Sequence, residues 1–163
     1  MKTVVLLSLG ALLLGTTLAR ATFNYAYGAD EYVTISAGIS PDGKLAITTH
    51  GEGDDGYTNF HVYLTNNVTG KRIGPLEEIV NSLDTGAGAF CAQWSKDSQY
   101  VTIIYRIDRH EPLKVMSYRL GHGRAFPQTA APVDATDAQT TYWGSKSSDP
   151  LPPAKIFGTS KPQ

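Results

Sequence analysis

The chain has 163 residues, of which 14 are basic and 15 acidic, so its formal net charge at neutral pH is −1. Nucleic acids and anionic membranes bind clusters of lysine and arginine, and the sequence contains no such cluster, which argues against both partners. A single cysteine, Cys91, excludes an intrachain disulfide, so packing must stabilise the fold. The apolar neighbours of Cys91 predict a buried, unreactive thiol.

The first segment of the chain has the pattern of a secretory signal peptide. A charged start at Lys2 precedes an apolar stretch, Val4–Leu14, and a small-x-small cleavage motif at Ala19 and Ala21. The apolar stretch is shorter than the roughly 18 residues of a membrane-spanning helix. We therefore predict that residues 1–21 are cleaved, that no membrane span remains, and that the mature protein is extracytoplasmic, either periplasmic or secreted.

The mature chain is expected to form one β-rich domain over residues 22–144. Cleavage removes Lys2 and Arg20 and no acidic residue, so 12 basic and 15 acidic residues remain, a formal charge of −3. The length that remains is typical of a single domain. Residues 145–163 contain four of the nine prolines, and this composition predicts a flexible tail.

In the first half of the domain, short β-prone stretches alternate with turn residues. Alternation groups Val33, Ile35 and Ile39 on one face of the first strand, and the Pro41–Lys44 segment then supplies turn chemistry. The same reasoning predicts a meander with strands at 33–39, 44–50, 60–64 and 72–76. Residues 77–83 are expected to form one or two helical turns.

The second half repeats this pattern. Strands are predicted at 90–94, 100–107 and 113–120. In the last of these strands, Met116, Tyr118 and Leu120 are expected to face inward. The alternation fades after Gly121, and a short helix is possible over 134–143.

The two halves also share a weak internal repeat. At an offset of 55 residues, Ser40 aligns with Ser95 and Asp42 with Asp97. In both copies the Ser-x-Asp sequence lies between two predicted strands. The repeat therefore predicts two equivalent tight turns.

The first unit resembles one blade of the bacterial β-propeller repeats of TolB-like and WD-type proteins. The resemblance lies in Ile39–Ala46, in a strand ending Val62–Leu64, and in Thr69–Lys71; with the second copy it covers about residues 35–120. It implies strands and turns, not a reaction. Because propellers contain about four to eight blades, this length excludes a monomeric ring. We expect an all-β, antiparallel small sheet or sandwich of two blade-like units, or blades that complete a ring by oligomerising.

Five residues around one loop are the candidates for a ligand or metal site: His50, Glu52, Asp54, Asp55 and His61. The loop carboxylates could hold Ca²⁺, or they could form a solvated hairpin tip that discourages edge-to-edge pairing. The two histidines flank the loop on adjacent predicted strands. Strand pairing could therefore bring them together with Glu52 as a metal or general-base site.

The function expected from these features is a binding or protein-interaction module. The sequence contains no nucleophile elbow and no phosphate-binding loop. Tyrosines near the mature start, among them Tyr25 and Tyr27, suit either packing or contact with a protein or carbohydrate partner. The alternative is a small secreted metal-dependent hydrolase that uses His50, Glu52 and His61.

Overall fold

A computed structural model describes residues 24–135 and 156–157. Within these ranges the chain forms ten strands and one short 3₁₀ helix at Ala87–Ala89. The strands are β1 Tyr32–Ile39, β2 Leu45–Glu52, β3 Thr58–Asn66, β4 Arg72–Pro75, β5 Cys91–Trp94, β6 Tyr100–Tyr105, β7 Lys114–Gly121, β8 Arg124–Pro127, β9 Val133–Asp134 and β10 Ile156–Phe157. No helix in this part of the chain is long and apolar enough to cross a membrane.

The strands form one mixed sheet in the order β4-β3-β2-β1-β5-β6-β7-β8, with β10 beside β1 and β9 beside β7. Every neighbouring pair is antiparallel except β1 and β5, which are parallel and meet at Ser36 and Cys91. The two strands at the ends of this order, β4 and β8, contact each other. The sheet therefore nearly closes into a barrel.

This architecture confirms the all-β prediction and changes its arrangement. Each half is an antiparallel meander as expected, but the halves join in one sheet instead of forming a sandwich or separate propeller blades. Hydrogen bonds between distant segments join the two halves. The Ser36 N–H donates to the Phe90 carbonyl at 3.2 Å, and Trp94 Nε1 donates to the Ala37 carbonyl at 3.0 Å. Such a parallel contact cannot be inferred from two meanders considered separately.

One hydrophobic core unites both halves. It contains Ile47 and Val62 from the first half and Ile103, Met116 and Tyr118 from the second, all essentially inaccessible to solvent. Met116 and Tyr118 thus face inward as predicted, and Leu120 packs against the same core. Full burial of each large apolar side chain contributes about 1.5–3 kcal/mol to the free energy of unfolding. Because residues of both halves bury one another in this core, each half alone would lose part of that contribution.

Several local predictions were wrong. Ile39 is 42% exposed, unlike Val33 and Ile35, because the pairing of β1 with β2 is irregular after Thr34 and Ala37 has a positive φ. Strand β8 was not predicted.

Residues 77–83 form a turn and irregular structure instead of helical turns. The buried side chains of Leu76 and Ile79 anchor this segment, and Asn81 has a φ of 55°, which ends any right-handed helix. Of the possible helix over 134–143, Asp134 lies in β9 and residues 136–143 are outside the described ranges. In the predicted tail, Ile156 and Phe157 form β10, and the flanking residues also lie outside.

The repeated turns have the same geometry. Ser40 Oγ donates to Asp42 Oδ1 at 2.7 Å, and Ser95 Oγ donates to Asp97 Oδ1 at 2.6 Å. In both turns the first N–H of the next strand donates to the serine Oγ at 2.9 Å. The serine hydroxyl, followed by a backbone N–H, lowers the pKa of each aspartate. The 55-residue repeat is therefore a repeat of turn chemistry.

Candidate functional site

The hairpin of β2 and β3 places the two predicted site histidines side by side. His50 and His61 are directly opposite in the antiparallel register. Residues opposite each other in such a pair project from the same face of the sheet. The acidic loop connects the two strands, with an irregularity in pairing between His50 and Glu52.

His50 is held in the fold and is only 5% exposed. Its Nδ1 lies 2.7 Å from the Glu31 carbonyl oxygen, which can only accept, so Nδ1 carries the proton. The ring stacks on Tyr32 at 4.5 Å between centroids and meets Tyr27 edge-on at 5.6 Å. These contacts are those of a packed histidine.

His61 and Glu52 have separate partners. His61 is half-buried, and its Nδ1 lies 3.7 Å from Glu77 Oε2. Glu52 Oε2 accepts a hydrogen bond from Asn59 Nδ2 at 2.9 Å. The carboxylate beside His61 is therefore Glu77. The sequence did not indicate this contact, because Glu77 lies in a different segment of the chain, after β4.

The acidic loop packs against the segments around Tyr25 and Thr85. Asp54 is exposed, whereas Asp55 accepts from the Tyr57 N–H through Oδ1 and from Thr85 Oγ1 through its carbonyl oxygen. A side chain at Gly56 would collide with the Tyr25 carbonyl oxygen. Among residues 24–135 and 156–157, no three His, Cys, Asp or Glu side chains are grouped closely enough to hold a metal ion.

The tyrosines that follow the predicted cleavage site pack into the fold. Tyr25 and Tyr27 lie against the hydrophobic core, and the Tyr27 hydroxyl lies 2.8 Å from Thr49 Oγ1 and also contacts the Thr85 carbonyl. Burial raises the pKa of the Tyr27 hydroxyl. These rings are therefore not available as an open aromatic platform.

A cation–π cluster, which the sequence did not indicate, lies on the outer face of the first half. The Arg72 guanidinium lies 4.7 Å from the ring centroid of Tyr32 and 5.9 Å from that of Tyr63. Burial raises the pKa of both tyrosines, and the positive charge of Arg72 opposes this shift. Tyr32 is buried, and Arg72 already covers the aromatic surface that Tyr32 and Tyr63 form.

A further candidate site is the junction of β4 and β8, which we call the seam. The two strands contact each other but are not hydrogen-bonded as a pair. Between them is a cavity of about 240 Å³, lined by Leu64, Ile73, Gly74, Pro75, Leu76, Arg124 and Ala125. Pockets for drug-sized molecules are usually about 300–1,000 Å³, so this cavity suits a single side chain.

Strand direction and proline explain why the seam stays open. Three antiparallel steps separate β4 from β1 and β8 from β5, and β1 and β5 are parallel, so β4 and β8 point the same way. Parallel pairing of such short strands is less favourable. Each strand also ends at a proline, Pro75 or Pro127, which cannot donate a ladder hydrogen bond.

The two ends of the seam differ in chemistry. At one end, the Tyr118 hydroxyl donates to Glu78 Oε2 at 3.0 Å and links the two halves. Burial, followed by this bond, raises the pKa of Tyr118. At the other end, Arg124 is exposed. Arg119 follows Tyr118 on β7 and lies over the ring of Phe126, its partner in the β7–β8 register, at 5.4 Å. Neither arginine forms an ion pair with any described residue.

Cys91 is buried, as predicted, and lies within β5.

The seam was not predicted, because the alternation of apolar residues had faded where β8 begins. The only sequence pattern that could have indicated the seam was the pair of short stretches that end in proline.

No protein-family model matches this chain, and no curated protein or solved structure matches it either.

Proposed function

We propose that the mature protein is an extracytoplasmic binding module that contacts a partner protein through the seam. The observation that carries this proposal is the cavity between the two strand edges of the seam, which is bordered by Arg124, a side chain that forms no ion pair with a described residue. An unsatisfied sheet edge beside an apolar cavity offers both backbone groups and a side-chain site to a polypeptide. The signal-peptide pattern supplies the extracytoplasmic setting.

The geometry favours this function over the metal-dependent hydrolase. His50 is packed and donates to a backbone carbonyl, and Glu52 is bonded to Asn59 instead of facing both histidines. A hydrolytic site would need a base and a metal or nucleophile aimed at one point. The arrangement around the β2–β3 hairpin does not provide that convergence among the described residues.

Site-directed photocrosslinking in the cells that make the protein tests the proposal. A benzophenone amino acid would replace Phe126 at the seam and, as the control, Val68, which lies on the β3–β4 turn and is 77% exposed. We expect a discrete crosslinked partner protein from position 126 and none from position 68. The same adducts from both positions, or none from position 126, would contradict the proposal.

A further inference from the structure

We infer that the seam binds an acidic, extended segment of a partner protein, with one apolar side chain in the cavity and a neighbouring carboxylate on Arg124. This inference rests on the proposed function and adds the chemistry of the partner. It combines the shape of the cavity, the charge at its rim and the limits that the two prolines place on strand pairing.

The cavity selects an apolar side chain. Ile73 of β4 and Ala125 of β8 both line the cavity and are only partly buried, and Leu64 and Leu76 add further apolar lining. Each methylene group that enters such a site is removed from water and adds to the binding free energy. A leucine-sized group therefore gains more than a short polar one.

The rim selects a carboxylate. Arg124 lines the cavity and forms no ion pair with any residue in the described ranges. Arg119 lies on the next strand, opposite Phe126 in the β7–β8 register. A guanidinium binds a carboxylate through two parallel hydrogen bonds, so it favours acidic groups in a planar geometry. Because the chain without residues 1–21 carries a formal charge of −3, Arg124 at the cavity rim, which forms no ion pair with a described residue, is a local exception that favours an acidic partner over a basic one.

The prolines limit how the segment can bind. Because Pro75 and Pro127 have no N–H group, neither edge can form a long ladder with an incoming strand. Recognition then depends on the side chain and the carboxylate more than on backbone pairing. This requirement distinguishes the site from an edge that accepts any β-prone peptide.

Three short blocked peptides are the probes. The first has a central leucine flanked by aspartates; the second replaces the aspartates with lysines, and the third replaces the leucine with glycine. We expect the first to shift the backbone amide signals of β4 and β8 and to bind at least about tenfold more tightly than the other two. Binding should weaken as salt is added, since the carboxylate contact is exposed. Equal binding of all three peptides would overturn the inference.

Two variants with matched controls locate the site. Arg124→Glu should abolish binding of the aspartate peptide and allow binding of the lysine peptide, whereas Lys96→Glu, at an exposed turn, should change neither. Gly74→Leu should fill the cavity, since a Cβ at Gly74 has no neighbour within 4 Å. Gly88→Leu is its control, because a Cβ at Gly88 also enters open space. Unchanged binding to Arg124→Glu or Gly74→Leu would place the peptide elsewhere and refute the inference.

Failure of this inference can be distinguished from failure of the proposed function. A crosslinked partner at position 126 together with no binding of the aspartate peptide would keep the seam as an interface and reject the acidic segment. If position 126 yields a glycan adduct, the partner is a carbohydrate and both proposals are wrong. Peptide binding that depends on Arg124 and Gly74 would support both.

Discussion

The backbone N–H of Asp42 donates a hydrogen bond to Ser98 Oγ at 3.2 Å, so the turn of the first half contacts the equivalent turn of the second. Ser98 is buried and has a φ of 59°, a left-handed conformation that its counterpart Gly43 also adopts, at 70°. The two copies of the turn therefore differ at this position for a physical reason. Glycine adopts the conformation without strain, whereas serine accepts the strain and supplies the contact between the copies.

We predict that Ser98→Ala lowers the free energy of unfolding by about 1 kcal/mol, because it removes a partly buried hydrogen bond and keeps the strained conformation. Ser98→Gly should remain near the wild-type value, since relief of the left-handed strain offsets the lost bond. Urea denaturation of both variants measures the difference. If Ser98→Ala is as stable as the wild type, the contact between the turns contributes nothing.

The Tyr105 hydroxyl predicts a loss of stability in alkali. It is 1% exposed and is the one buried side-chain polar atom in the described ranges without a hydrogen-bond partner. Burial raises the pKa of Tyr105 from its ordinary value of 10.0 to about 12. Between these values only the folded state retains the proton, so the free energy of unfolding should stay level below pH 10.0 and fall as pH rises toward 12.

Tyr105→Phe should therefore raise the free energy of unfolding by about 1 kcal/mol at neutral pH, because it removes a buried hydroxyl that has no partner. It should also make the alkaline decline less steep. Tyr118→Phe is the matched control and should lower stability by about 1 kcal/mol, since that hydroxyl is bonded to Glu78. Denaturation curves over a range of pH test both variants, and a destabilised Tyr105→Phe protein would contradict the argument.

The ion pair of Arg106 and Asp84 should be more sensitive to substitution than the exposed pair of Lys44 and Asp42. Arg106 Nε donates to Asp84 Oδ2 at 2.7 Å, and Nη2 donates to Oδ1 at 3.3 Å, while the Asp84 side chain is almost fully buried. Arg106→Met should lower the free energy of unfolding by about 3 kcal/mol, because it leaves a buried carboxylate without its partner charge. Thermal or urea denaturation measures the loss.

The exposed pair of Lys44 and Asp42, 3.7 Å apart, provides the comparison. Lys44→Met should have little effect, since solvent and salt screen that interaction. Equal losses from Lys44→Met and Arg106→Met would show that burial does not determine the contribution of the Asp84 pair.

The leader prediction is tested by expression of the full chain in a secreting host. We expect the exported protein to begin near Thr22, which leaves Tyr25 and Tyr27 available to pack against the core. Intact mass spectrometry identifies the first residue. Replacement of Ala19 and Ala21 by bulky residues should prevent cleavage at this site. A protein that keeps its first 21 residues and stays in the cytoplasm would refute both the leader and the extracytoplasmic function.

Local sequence determined much of this protein. The Ser40 and Ser95 turns, most of the strands, the inward faces of Met116 and Tyr118 and the burial of Cys91 follow from turn chemistry, alternation and apolar neighbours, all of which act over a few residues. The register of His50 opposite His61 follows similarly from a hairpin with a short loop. Their chemical roles did not, because Glu31 and Glu77, which contact the histidines, come from other segments of the chain.

Only the tertiary structure decided where the sheet closes. The parallel contact of β1 with β5 fixes the direction of β4 and β8, and their proximity creates the seam cavity and leaves Arg124 at its rim. Apart from the prolines that end β4 and β8, no local sequence pattern indicates the seam. A surface formed by two distant strands depends on the path of the whole sheet, whereas a turn or a strand face depends on neighbours in the sequence.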